Sequence, residues 1–89
     1  MTYPNPQLIE PRFKAALDRY VEAMLPTGGF LKAVLENNLM ETVHRADPGG
    51  LCNLPHIVSY VYNELPSGVW GTPERVEKWL ALRAAEVGA

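Results

Sequence analysis

Apolar residues recur along most of the chain with the three-to-four-residue spacing of α-helices. In the first such run they fall at i, i+3, i+4, i+7, i+8 and i+11, at Phe13, Ala16, Leu17, Tyr20, Val21 and Met24. This spacing places them on one face of a helix that begins at Pro11. Pro26 disfavours helical geometry at Leu25 and therefore predicts the end of this helix. No stretch alternates with period two, so the sequence predicts little or no β-sheet.

Two short helices are predicted next. The first begins after Thr27, a favourable N-cap, and buries Phe30, Leu31, Val34 and Leu35. Asn37 tolerates the left-handed conformation found past helix ends, and Asn38 with Glu41 forms a variant of the capping box. The next helix is predicted to carry Leu39, Met40 and Val43 inward and to end at Asp47-Pro48-Gly49-Gly50. A single bent helix is the alternative.

Two further helices complete the prediction. One begins at Asn53 or Leu54, with Pro55 in its first turn, and its apolar stripe is Leu54, Ile57, Val58, Val61 and Leu65. Pro66-Ser67-Gly68 ends it. Thr72-Pro73-Glu74 supplies a cap, a preset first residue and an acid that favours the helix dipole, and so starts the last helix. Inside that helix, the predicted buried residues are Val76, Trp79, Leu80 and Ala84.

The predicted fold is all-α: an extended lead-in over residues 1–10 and one domain of five short helices over residues 11–87. Tyr20-Val21 with Leu25-Pro26-Thr27-Gly28 recurs forty positions later as Tyr60-Val61 with Leu65-Pro66-Ser67-Gly68. Two related helical hairpins would explain this repeat. Independent use of the same helix-ending residues explains it equally well.

Composition narrows the function classes. A chain of 89 residues lies near the lower size at which one core suffices, so we expect a homo-oligomer. Its net charge of −2, with both signs interspersed, argues against non-specific nucleic-acid binding. A single cysteine, Cys52, excludes an internal disulfide and is typical of a reducing cytosol. Because neither a signal peptide nor an apolar run of about 20 residues is present, we expect a soluble cytoplasmic protein without membrane contact.

Candidate ligand chemistry centres on the helix start at Gly28-Gly29. Free backbone amides at a helix N-terminus can bind phosphate, and Thr27, Lys32 and Arg45 are predicted to assist. The run lacks the established phosphate-loop patterns, and glycines also simply permit a tight turn. A nucleotide-like small molecule is the ligand that this interpretation favours.

Metal binding and catalysis are not predicted. His44, Cys52 and His56 lack the short paired spacing of zinc ligands, so we interpret them as two surface histidines and a buried or half-buried thiol. No nucleophile, base and orienting group can be assembled from the sequence. We therefore predict no catalytic residue, no metal and no cofactor.

Trp70 is the most distinctive loop residue, since it lies between Gly68 and Gly71 outside any predicted helix. A loop tryptophan either covers the core or anchors a partner, and we favour the first role. Tyr60 and Tyr62 lie off the apolar stripe of their helix and are predicted to extend the aromatic surface around Trp70.

Several segments together resemble a family of small helical proteins encoded by bacteriophages and prophages. They are Gly29-Phe30-Leu31-x-Ala33-Val34-Leu35-x-Asn37-x-Leu39, Arg45-Ala46-Asp47, Tyr60-Val61-Tyr62-Asn63 and Trp70-Gly71-Thr72-Pro73-Glu74. The resemblance covers residues 26–79, and Pro48-Gly49-Gly50 departs from the polar loop of that pattern. It implies a genomic setting and a host cytoplasm, but no activity. Small phage accessory proteins commonly work by binding.

Two functions follow as hypotheses. The first is a non-catalytic interaction protein that inhibits or occupies a host macromolecule such as a defence component, as a dimer with an aromatic patch around Trp70. The second is a binder that sequesters a phosphate-bearing molecule at Gly28-Gly29. The candidate binding residues across the two hypotheses are Thr27, Gly28, Gly29, Phe30, Lys32, Arg45, Tyr62, Trp70 and Thr72.

Overall fold

The computed structural model describes residues 3–88, with side chains described as far as Ala85. Within this range the regular structure consists of helices alone, which confirms the predicted all-α fold. The α-helices are α1 (Pro11–Ala23), α2 (Gly29–Leu35), α3 (Leu39–Arg45), α4 (Pro48–Glu64) and α5 (Pro73–Gly88). Short 3-10 turns span Pro6–Leu8 and Ser67–Val69. The first of these lies in the lead-in that was predicted to be extended; Met1 and Thr2 fall outside the described residues.

Most helix ends follow the local chemistry of the sequence. Asn37 adopts the left-handed conformation with φ of 61°, and the side-chain oxygen of Asn38 accepts a hydrogen bond from the Glu41 amide at 3.2 Å. The hydroxyl of Thr72 accepts one from the Arg75 amide at 3.1 Å. The predicted cap at Thr27 is wrong, because Gly28 is the N-cap of α2 and the Thr27 hydroxyl bonds to the Gly28 carbonyl instead.

Helix α4 begins at Pro48, several residues before the predicted start. The carboxylate of Asp47 accepts a hydrogen bond from the Gly50 amide at 2.6 Å, and Pro48 occupies the first helical position. Gly50 faces Phe30 so closely that a Cβ there would lie 3.0 Å from the ring. The Asp-Pro-Gly-Gly segment is therefore a capped helix start rather than a turn, and the helix continues through Pro55.

The core lies between α1, α2, α4 and α5. Its fully buried large side chains are Leu17, Tyr20, Leu35, Ile57 and Val76. Tyr20 ties three segments together: its hydroxyl donates to the Val69 carbonyl at 2.6 Å, and its own carbonyl accepts from the Trp79 indole at 2.7 Å. Ile9, Ala33 and Val69 are buried as well, although the helical stripes did not include them.

Five residues predicted to face inward are on the surface. Leu39, Met40, Val43 and Val58 are all exposed, whereas the polar side chain of Thr42 is buried in α3. Ala84 is exposed as well, because α5 packs on the core through Val76, Trp79 and Leu80 and is exposed from Ala81 onward. The α-helical spacing of Leu39 and Val43 was detected correctly, but the face they occupy does not pack on the core. This difference defines the surface described below.

The N-terminal segment covers one side of α4. The Asn53 side chain accepts from the Glu10 amide at 2.9 Å and donates to the Leu8 carbonyl at 3.1 Å. One turn further on, the Asn5 amide donates to Nδ1 of His56 at 3.1 Å. Since this side of α4 is occupied by the chain itself, the open side is the one that faces α3.

The two copies of the internal repeat differ locally. After Leu25-Pro26-Thr27-Gly28 the chain enters α2 at once, whereas after Leu65-Pro66 it forms the 3-10 turn Ser67–Val69 and reaches α5 only at Pro73. The arrangement as two related hairpins stays a prediction.

Candidate functional site

Helices α3 and α4 share an outer surface of large apolar side chains. Leu39 is 69% exposed, Met40 80% and Tyr62 72%, while Val43, Leu51 and Val58 are each 48% exposed. We call these six residues the α3–α4 apolar surface. Single exposed apolar residues are ordinary on a protein surface, but six on two neighbouring helices are not.

The orientation of α3 follows from its anchoring. The helix has seven residues and packs against α2, and Thr42 is the residue it buries. The Thr42 hydroxyl donates to the Asn38 carbonyl at 2.7 Å, so the buried hydroxyl is satisfied within the helix. With Thr42 turned inward, the 3.6-residue period places Leu39 and Val43 on an adjacent side of the helix, and Leu39 lines the same recess as residues of α4.

Helix α4 has two apolar faces rather than one. Ile57 and Val61 are buried in the core. Leu51, Leu54, Val58 and Tyr62 follow at i, i+3, i+7 and i+11, which is the spacing of a second stripe on a different side of the helix. A helix with one such face against the core and another open to solvent has apolar surface available for a partner.

Between the two helices lies an apolar groove of about 140 Å³. Val34, Asn37, Asn38, Leu39, Thr42, Leu54, Val58, Val61, Tyr62 and Trp70 line it, and none of them is charged. Trp70 is one of these lining residues; its indole N–H donates to the Leu65 carbonyl at 3.4 Å, and its ring centroid lies 6.0 Å from that of Tyr62. Trp70 thus packs against the core, which is the role favoured for it, and also lines the groove; its role as an anchor for a partner stays a prediction.

Tyr60 does not extend this aromatic surface, contrary to the prediction. It packs against the core on another side of α4, and its hydroxyl donates to Asp18 at 2.5 Å. Burial raises the pKa of Asp18, but hydrogen bonds from Lys14 and Tyr60 outweigh that effect and leave the pKa lowered. Burial and the Asp18 bond raise the pKa of the Tyr60 phenol.

A second recess brings together three of the predicted anion-binding residues. Gly29, Lys32 and Arg45 line a pocket of about 270 Å³ between α2 and α3. Arg45 lies directly over Gly29, where an added Cβ would be 2.9 Å from its guanidinium nitrogen. The predicted approach of Arg45 to this glycine is therefore present in the structure.

The charges in this pocket are compensated. Arg45 bonds to Glu41 at 2.7 Å, and Lys32 lies 3.9 Å from Glu36, so the two cations of the pocket face two carboxylates. The bond from Arg45 holds the pKa of the Glu41 carboxyl below its ordinary value. Because α2 has only seven residues and the pocket has no net positive charge, its attraction for phosphate is weaker than the sequence suggested.

The other predicted site residues lie apart from both recesses. Thr27 is half-buried beside the helix start, Phe30 packs against Phe13 with 5.6 Å between ring centroids, and Thr72 caps α5. The predicted set thus divides between a groove, a polar pocket and residues that line neither, whose part in binding stays a prediction. Sequence reasoning missed Leu39, Val43 and Val58 as surface residues, since apolar spacing alone does not distinguish two apolar faces of a helix.

The cysteine and histidines show no assembled reactive group. Cys52 is exposed rather than buried, because the earlier start of α4 places it on the outside of that helix. His56 accepts the Asn5 amide. Among the described residues, no three His, Cys, Asp or Glu side chains lie close enough together to hold a metal ion.

None of the described helices combines the length and the apolar character needed to cross a bilayer. Comparisons of the chain with protein-family models, with curated proteins and with solved structures find no match. The resemblance to phage-encoded proteins stays a prediction.

Proposed function

We propose that this protein is a non-catalytic binding protein that docks an amphipathic helix of a partner protein on the α3–α4 apolar surface. The observation that carries the proposal is the groove itself, with Leu39, Val58 and Tyr62 open to solvent along an uncharged lining. Following the resemblance to phage proteins, the expected partner is a host protein, such as a defence component, that the complex holds inactive.

The shape and chemistry of the groove favour a helix as the occupant. Two neighbouring helices leave a furrow into which the side-chain ridge of a third helix can pack. An apolar lining selects residues at i, i+3, i+4 and i+7 of the incoming helix, as in other helix-in-groove complexes. Asn37 and Asn38 at the edge supply the polar rim that such interfaces have around an apolar centre.

The matched pair Val58→Glu and Leu82→Glu tests this proposal. Val58 lines the groove, whereas Leu82 lies on α5 with a similar exposed fraction of 50%. A carboxylate at position 58 must lose its hydration when a partner covers it, so we expect partner capture to fall at least tenfold in Val58→Glu and to be unchanged in Leu82→Glu. The measurement is affinity capture from host lysate with each immobilised protein, quantified by mass spectrometry.

A captured protein supports the proposal only after reconstitution. Its shortest binding segment, made as a peptide, should gain helical circular dichroism on binding the wild-type protein and should bind Val58→Glu at least tenfold more weakly. Equal capture by the wild-type and Val58→Glu proteins, or a partner segment that binds in an extended form, contradicts the proposal.

The second candidate, a binder of a phosphate-bearing nucleotide, is favoured by one observation, the position of Arg45 over Gly29. On this hypothesis, calorimetry with mono-, di- and cyclic nucleotides gives binding heat, and Arg45→Ala abolishes it without lowering the melting temperature. Glu41→Gln then strengthens binding, because it frees the guanidinium of Arg45. Absence of heat at high micromolar concentration eliminates this candidate. We rank it second because both cations already face carboxylates.

A further inference from the structure

We infer that in the absence of a partner the α3–α4 apolar surface is covered by a second copy of this chain, so that self-association and partner docking compete for one surface. The competition with a partner rests on the proposed function. The self-association does not, because its evidence is the size, charge and shape of the surface.

The size of the surface suits a dimer. Three of the six residues are at least 69% exposed and the other three 48%, so the patch reaches about the 600 Å² that bounds the largest apolar patch of a typical monomer. One partner of a standard protein interface contributes about 800 Å². The apolar surface with the polar residues at its edge therefore approaches the area that a stable dimer needs.

The charge of the surface also favours a second copy. In a twofold-symmetric dimer the same patch meets itself, so any net charge at its centre would be repelled by its own image. The groove lining carries no charged residue, and the ion pair of Arg45 with Glu41 lies in the separate polar pocket. Burial of the groove lining against its own copy therefore sets no unpaired charge at the centre of the interface.

The shape provides both halves of a self-complementary contact. Val58 and Tyr62 of α4 and Leu39 of α3 are exposed and line the groove together. A twofold axis through this surface allows these exposed side chains of each copy to pack into the groove of the other. The dimer keeps the apolar surface out of water until a partner helix displaces one copy.

Sedimentation equilibrium of the purified chain tests the inference without any partner. At roughly 100 µM, where even micromolar associations are populated, we expect twice the chain mass of 9.9 kDa for the wild type and for Leu82→Glu. Val58→Glu should sediment as a single chain, with circular dichroism and a melting curve that show it is folded. Since no charge pair holds the interface, association should be the same at low and high salt.

A wild-type protein that stays monomeric, a dimer that Val58→Glu does not dissociate, or equal dissociation by Leu82→Glu overturns the inference. If a partner peptide is in hand, its addition should convert the dimer to a complex of one chain and one peptide; a complex of two chains and two peptides also overturns it. A monomeric wild-type protein that still captures its partner contradicts only the inferred dimer. A dimeric protein that captures nothing contradicts only the proposed function.

Discussion

Ile57→Ala is expected to lower the free energy of unfolding by about 2–5 kcal/mol, the range for removing a large aliphatic side chain from a packed core. Ile57 has no exposed surface and belongs to the face of α4 that packs in the core. The truncation leaves a cavity among neighbours that can only partly close around it. Denaturant unfolding followed by circular dichroism measures the change.

The neighbouring substitution Val58→Ala is the control. Both residues are β-branched and both changes raise helix propensity, so the comparison isolates burial. Because Val58 is half exposed, its truncation should change the unfolding free energy of the monomer by less than about 1 kcal/mol. Similar losses for the two variants would mean that Val58 is a core residue and that α4 has one apolar face.

Tyr20→Phe is expected to lower the free energy of unfolding by about 1–3 kcal/mol. The substitution removes a hydroxyl that donates to the buried carbonyl of Val69 and leaves that carbonyl without its partner. It should therefore loosen the contact between α1 and the 3-10 turn Ser67–Val69. Thermal and denaturant unfolding of the wild type and the variant give the difference.

The raised pKa of Tyr20 predicts that the free energy of unfolding falls at alkaline pH. Burial, with a smaller contribution from the Glu36 carboxylate, raises the pKa of Tyr20 to about 12, above the ordinary value of 10.0. The unfolded chain therefore loses this proton first, so the contribution of Tyr20 is complete below about pH 10 and is lost as pH rises toward 12. Over this window, the wild type should lose its stability advantage over Tyr20→Phe. A constant advantage would show that the hydroxyl is not buried.

The sequence predicted the fold class and most helix ends because their signals are local. Asn37, Asn38 and Thr72 carry the side chains that helix ends need, and each acts where it stands in the chain. The start of α4 was missed because its local signals are ambiguous. Asp47-Pro48 serves a turn and a helix start equally well, and the contact of Gly50 with Phe30, twenty residues away, favours the helix.

The candidate surface could not be predicted from apolar spacing. Leu39 and Val43 repeat as core residues do, and only the packing of α2 against α3 decides that Thr42 faces inward instead. The stripes of α4 overlap along the chain, since Ile57 and Val58 are adjacent and belong to different faces. The aromatic pair Tyr62 and Trp70 was identified because neither fitted a core stripe.

The central claim is that the α3–α4 apolar surface binds a helix of the partner. Methyl chemical-shift mapping by nuclear magnetic resonance tests it most directly, with the reconstituted partner peptide titrated into isotope-labelled protein. The account predicts shifts for the methyl groups of Leu39, Leu54 and Val58, and none for that of Leu82. Shifts confined to α5, or to the amides of Gly29 and Arg45 with the groove methyl groups unmoved, would contradict it.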